Sequence, residues 1–270
     1  MKGTAGGRLT VEAVLQKLQE QAGRLEPTVD RPLFGSPGME VTGIVTTFLA
    51  SQDVLGQAAA LGANLVISHE GLFYSHQEPQ GWLAEDPVCL TKRQWIEQSG
   101  MAVFRFHDHV HRYRPDFITE GLVRALGWDS YVEEHLPAAC IVSMPAKSLR
   151  TLAEEVKSKL GIPYVRTVGG SGTHCSRIGL LVGYRGGGAT SIPLMESHKL
   201  DLLIAGEGPE WETPEYIRDA VHQGRGKALM ILGHAASEEP GMRYLAEQLS
   251  GEFPGVPVHF IAEKPLFQIL

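Results

Sequence analysis

Four short apolar runs in this sequence end in a residue able to bind a metal. Residues 64–68 lead into His69-Glu70, and 101–106 into His107-Asp108-His109-Val110-His111. Residues 202–205 lead into Gly206-Glu207, and 228–232 into Gly233-His234. Imidazole nitrogens with carboxylate oxygens suit zinc, manganese, iron or nickel better than copper(I) or an iron–sulfur cluster. Two spacings sharpen the pattern. His234 and Glu238 are four apart, which on a helix places them on one face a turn apart. His107 and His111 are also four apart, with His109 between them. On a strand all three would share a face; on a helical turn only His107 and His111 would. Two carboxylates able to bridge, Glu70 and Glu238, with three or four imidazoles, could hold two ions ~3.5–4 Å apart. Such a pair activates water and polarises an ester, amide or phosphoryl oxygen.

The remaining candidates carry less chemistry. His76, His135, His198, His222 and His259 have no neighbour at ligand spacing and read as ordinary hydrogen-bonding residues. Cys89, Cys140 and Cys175 are far apart and form no CxxC pair, which argues against a disulfide framework and a thiolate zinc site. The glycine-rich stretches 169–172 and 183–188 match neither phosphate-loop pattern and read as a tight turn and a flexible loop. Ser191 and Cys175 lack a nucleophile signature.

The elements that must position these residues alternate. Helices are expected over 10–23, 52–61, 91–98, 115–126, 148–160, 213–223 and 241–249, most of them ended by a glycine. Strands are expected over 41–49, 64–68, 101–106, 140–144, 164–168, 178–183, 202–205 and 228–232, and residues 26–38 read as loop. Strands alternating with helices give an α/β fold with mixed, mostly parallel sheet. In open α/β sheets ligands bind beyond the carboxyl ends of strands, where the candidate donors sit. The acidic, proline-containing stretch 128–138 is the expected internal boundary. It gives a first domain of residues 1–128 with 229–270, carrying most of the donors, and a second of residues 129–228.

Composition agrees with a globular chain. Of 270 residues, 43% are hydrophobic and 20% charged, enough for a sizeable core. The net charge of −7 shows no basic nucleic-acid footprint. No apolar run approaches the ~20 residues of a membrane helix. No apolar signal core follows residues 1–7, so the cytoplasm is the expected compartment.

Several segments resemble the Nif3-like family. Asn64-Leu65-Val66-Ile67-Ser68-His69-Glu70-Gly71-Leu72-Phe73 is similar to its I-[ST]-H-H-P-L-x-F segment, and Gly233-His234-Ala235-Ala236-Ser237-Glu238 to its G-H-x-x-[ST]-E signature. Leu203 to Glu207 resembles the preceding T-G-E, 103–111 falls where the family has H-T-N-L-D, and 30–35 resembles W-D-N-x-G-L. The likeness runs in order along nearly the whole chain, in the short form without an inserted domain. It implies two intertwined three-layer α/β/α domains, a dinuclear metal centre and a homo-oligomer, often a hexameric ring. His69, His234 and Glu238 match family ligands. Glu70 stands where the family has a second histidine, and His111 where it has an aspartate, so an N donor and an O donor exchange places.

The expectation is therefore a metal-dependent hydrolase that uses activated water on a small phosphorylated, nucleotide or cyclic-amide substrate. A GTP-cyclohydrolase-type activity is suggested by the resemblance alone. His69, Glu70, His111, His234 and Glu238 would hold two divalent ions (zinc, iron, manganese or nickel), with His107 and Glu207 in proton-transfer or ligand-orienting roles. The alternatives are a non-catalytic metal-binding regulator, metallochaperone or scaffold, and a member that has lost its metal. No membrane or nucleic-acid partner is expected.

Overall fold

The computed structural model describes residues 8–77 and 81–269. The reading of residues 1–7 lies outside them. Packing divides the chain into two compact units, residues 1–113 with 242–270, and residues 114–241.

The first unit opens with α1 (Val11–Glu20), whose N-cap Thr10 accepts a bond from the Ala13 N–H and whose apolar stripe Val11, Val14, Leu15 and Leu18 is buried. Then follow β1 (Arg31–Phe34), β2 (Ile44–Thr47), α2 (Gln52–Ala60), β3 (Leu65–Ser68), α3 (Pro87–Ser99), β4 (Ala102–Arg105) and the short α4 (Asp108–Arg112). The second unit contains α5 (Phe117–Leu126), β5 (Val132–His135), β6 (Cys140–Ser148), α6 (Leu149–Leu160), β7 (Arg166–Val168), β8 (His174–Leu181), α7 (Gly188–Ser197), β9 (Leu202–Ala205), α8 (Thr213–His222) and β10 (Ala228–Ile231). Helix α9 (His234–Glu252) begins in the second unit and ends in the first, where β11 (Val258–Phe260) completes the sheet.

The first unit's sheet has the order β1-β4-β3-β2-β11, parallel except for the β1–β4 edge. The second unit's sheet has the order β5-β6-β8-β9-β10-β7 and is parallel only across β8-β9-β10. The fold is mixed α/β. Every residue of β2, β3, β4, β9 and β10 is buried, as expected of short apolar strands inside a parallel sheet. Val45, Val66, Val103, Leu55 and Ile96 centre one core cluster. Ile141, Leu181, Leu203, Leu229 and Ile217 centre the other.

The units part at Tyr113/Arg114 and Gly241/Met242, whereas the sequence places the boundary near 128 and 229. Strand pairing is one reason: β10 hydrogen-bonds to both β9 and β7, which draws it into the second sheet. Helix packing is the other, since α5 lies against α6. Residues 26–38, expected as loop, contain β1, whose proline sits on the sheet edge where a missing N–H is tolerated. Residues 183–188 are a turn running into α7 rather than a flexible loop. Among the described residues no helix is long and apolar enough to cross a membrane.

Candidate metal centre

In the first unit the donors hang from the carboxyl ends of β3 and β4. The Phe106 N–H donates to the Ser68 carbonyl at 2.8 Å and the His69 N–H to the Thr47 carbonyl at 3.1 Å, which extends the ladder past β3. His69 is fully buried, with Nδ1 3.1 Å from the Phe106 carbonyl oxygen. A carbonyl only accepts, so Nδ1 carries the proton and Nε2 keeps the lone pair.

Beyond β4 the chain turns at once into α4, and Asp30 makes it do so. One carboxylate oxygen accepts from the N–H groups of His107 (2.7 Å) and Asp108 (2.8 Å). The other accepts from the His109 N–H (2.8 Å) and lies 2.7 Å from His109 Nδ1. Three of the four orphan donors of a helix start are thereby satisfied by one buried side chain. Helical spacing then sends His107 and His111 to one side, while His109 stacks on Phe106 with ring centres 6.5 Å apart.

His69, His107 and His111 meet. Their ring centres are 4.6 to 5.0 Å apart, and one donor atom from each lies within 4.8 Å of the others. His107 Nδ1 is 2.9 Å from Asp108 Oδ1. That bond first, then the Val29 N–H and the Thr28 hydroxyl, holds the Asp108 carboxyl well below the usual range. The His107 ring is pushed down to about 4, chiefly by burial, with His69 and His111 adding and Asp108 and Glu70 opposing. It is neutral at pH 7 and offers its Nε2 lone pair. A neutral His107 converging with His69 and His111 is in the state a transition ion requires of a ligand.

Glu70 Oε1 is 3.5 Å from His107 Nε2, and Oε2 is 3.1 Å from Arg105 Nη2 and 3.7 Å from His76 Nδ1. Glu70, His76 and His107 form a second group of donors within 4.8 Å. The sequence reading left His76 as an ordinary loop residue, and the structure brings it to Glu70. His135, His198, His222 and His259 join no such group among the described residues.

In the second unit His234 opens α9 at the end of β10. Its Nδ1 is 2.9 Å from Glu207 Oε1 and its Nε2 is 3.1 Å from Glu238 Oε2. Neighbouring ligands on a tetrahedral zinc stand about 3.3 Å apart, so this pair already has ligand spacing. Glu238 is 2% exposed. Ser237 locks the turn: it donates to the His234 carbonyl at 2.7 Å and accepts from the Gly183 N–H at 2.9 Å. Gly183, at φ +61°, lies so close to Glu238 Oε1 that a Cβ would collide with it, and a Cβ on Gly206 would lie 2.5 Å from Ser237 Oγ. These glycines are required by close approach, not by chain flexibility.

Sequence reasoning missed Asp30 as the organiser of α4, Asp108 as the partner of His107, and Arg105 beside Glu70. A carboxylate next to a candidate histidine was a readable signal for Asp108. For Asp30 the only signal was its place in the resembling 30–35 segment.

Residues 32–265 match the family model described as Duf34/NIF3 (NGG1p interacting factor 3). The fold is similar to that of the Staphylococcus aureus hypothetical protein SA1388, with a TM-score of 0.76, 17% identity and coverage of 98% of this chain and 100% of that one. It is also similar to protein ybgI, whose function is given as unknown (TM-score 0.74, 22% identity, 95% and 99% covered). A third likeness is to the Bacillus cereus protein related to NIF3 (TM-score 0.72, 13% identity, 98% and 100% covered). No curated protein matches the sequence. The match over residues 32–265 places the chain in the DUF34/NIF3 family.

Proposed function

We propose that this protein is a metal-dependent hydrolase acting on a small phosphorylated, nucleotide or cyclic-amide substrate. The observation that carries the reading is the convergence of His69, His107 and His111. Glu70, His234 and Glu238 are the further donors. A pair of ions is what the family resemblance implies. Bound divalent ions would supply Lewis acidity and an acidified water.

The chain's own groups have separate tasks. The Phe106 carbonyl, Asp108 and Glu207 fix the rings of His69, His107 and His234 through Nδ1, and so aim Nε2. Glu207 is also partly open to solvent, with 43% of its side chain exposed, and can pass a proton through His234 Nδ1. His107, at 18% exposure, is the more open ring of the His69–His107 pair and stands as a proton carrier if it is not a ligand.

A non-catalytic role, as regulator, metallochaperone or scaffold, finds its support in the complete burial of His69 and the near-complete burial of Glu238. A closed site of that kind holds metal for structure. The exposure of His107 and Glu207 favours the hydrolase. We also propose a homo-oligomer, a hexamer by resemblance, to be checked by light scattering on the eluting protein.

The test is metal content by mass spectrometry on untagged protein purified without chelator, with His111→Ala and Glu238→Ala beside wild type. About two equivalents of a transition metal, reduced in both variants, with turnover of phosphate esters, nucleotides or cyclic amides that follows the metal, is the expected result. Metal without turnover would move the reading to the non-catalytic role. No metal after incubation with zinc, manganese, iron and nickel salts would overturn both.

A further inference from the structure

Arg105 is an unusual neighbour for a metal ligand. Its side chain is 3% exposed at the end of β4, two residues before His107. Nη1 donates to the His76 carbonyl at 2.6 Å. Nη2 donates to Glu70 Oε2 at 3.1 Å and faces His76 Nδ1 at 2.9 Å. A guanidinium is always charged and only donates, so His76 Nδ1 must be the acceptor in that contact. One nitrogen of Arg105 thus occupies the lone pairs of two atoms that could ligate a cation.

Those two atoms, with His107, form the second donor group of the first unit. His76 is half exposed, which gives this group a route to solvent. We propose that Glu70 and His76 form a divalent-cation position beside His107, whose one lone pair goes to the His69–His107–His111 group, and that its resident cation in the ion-free chain is the Arg105 guanidinium. The inference rests on the metal-binding reading above and adds to it an occupant and a means of control. An ion that takes Glu70 Oε2 and His76 Nδ1 must displace Arg105 Nη2 from both. It must also tolerate a fixed positive charge nearby. The position built on Glu70 is therefore the weaker one, and the three imidazoles of His69, His107 and His111 load first. Arg105 sets the interval between the two affinities. It also keeps Glu70, 15% exposed, from standing as an unpaired buried charge when no ion is bound.

The experiment is a zinc titration of the full chain by calorimetry and equilibrium dialysis, on wild type, Arg105→Gln, Arg105→Lys and Glu70→Gln. Arg105→Gln removes the charge and should tighten the weaker equivalent by roughly tenfold or more, the size of effect that groups beside metal ligands exert. Arg105→Lys keeps the charge and should bind as wild type does. Glu70→Gln should lose the weaker equivalent and keep the tighter one within about threefold. An unchanged weaker equivalent in Arg105→Gln, or Arg105→Lys behaving like Arg105→Gln, would overturn the proposal. Should Arg105→Gln fail to fold by circular dichroism, Glu70→Gln still decides: loss of the tighter equivalent means that Glu70 ligates the first ion. Absence of zinc binding in wild type overturns the metal-binding reading together with this one, whereas binding that ignores Arg105 overturns this one alone.

Discussion

Replacing Asp30 by asparagine tests whether one buried side chain organises the histidine cluster. The change preserves shape, so no cavity forms, and its cost falls on hydrogen bonds. If the amide oxygen keeps the His107 and Asp108 N–H groups, the amide NH2 is turned toward the His109 N–H and Nδ1. A donor then faces a donor, and one buried N–H loses its acceptor, at about 1–3 kcal/mol. The two bonds that remain lose their charge-assisted strength, which adds about 1 kcal/mol. The sum is about 2–4 kcal/mol, and at about 3 °C per kcal/mol for a unit of this size the first unit's midpoint should fall by about 6–12 °C. Because α4 carries both His107 and His111, zinc affinity should fall about ten- to hundredfold as well. Thermal unfolding of the ion-free protein and a zinc titration read the two effects. A midpoint within about 2 °C of wild type together with unchanged zinc affinity would refute the claim that Asp30 holds α4 in place.

Zinc at a hundredfold excess over its dissociation constant should stabilise the protein by about 2.7 kcal/mol, a rise in midpoint of about 8 °C. His69→Ala should abolish the rise; an equal rise in that variant would remove His69 from the site. Gly183→Ala forces a positive φ on alanine and drives its Cβ against Glu238, so it should cost about 1–3 kcal/mol and weaken zinc binding. A variant as stable and as tight as wild type would contradict that packing. All three cysteines are buried, with burial pushing the Cys140 thiol up to about 12 and the Cys175 thiol up to about 11. The folded protein should therefore react slowly with Ellman's reagent at pH 8 and release three thiols only when unfolded, and rapid stoichiometric labelling of the folded chain would count against the placement of these residues.

Local signals carried much of the fold. The parallel strands are continuous apolar runs, and α1, α5 and α6 announce themselves through caps and a 3.6-residue stripe. What stayed hidden depends on partners distant in sequence. Strand β1 holds Pro32 and earns its place only by pairing with β4. Helix α7 begins at Gly188 and contains Pro193, both poor helix formers, yet its first N–H is held by Glu212, 24 residues on. Helix α9 starts at His234 rather than near 241, and Pro240 inside it masked the continuity. At the site, the i, i+4 spacing of His107 and His111 left strand and helix open. Asp30, some 77 residues upstream, decides between them, and no local pattern contains that information. The same limit hid Arg105, since its contacts with Glu70 and His76 span 35 and 29 residues.

The imidazoles also show why residue type alone does not identify a ligand. His69, His107, His234 and His109 all have Nδ1 against an acceptor: a carbonyl for the first, and Asp108, Glu207 and Asp30 for the others. By that criterion the four are equivalent. They differ in what surrounds them. His69 and His107 belong to groups of donors, and His234 Nε2 faces Glu238, whereas His109 lies against Phe106 and joins no donor group among the described residues. An anchored Nδ1 costs the protein little in any buried histidine and serves structure as well as chemistry. Convergence of several donor atoms is different, because mutually facing lone pairs and carboxylates repel unless a cation or a proton lies among them. Arg105 supplies that charge for Glu70. The three converging rings of the first unit bring one donor atom each within 4.8 Å of the others, an arrangement that could hold a divalent ion.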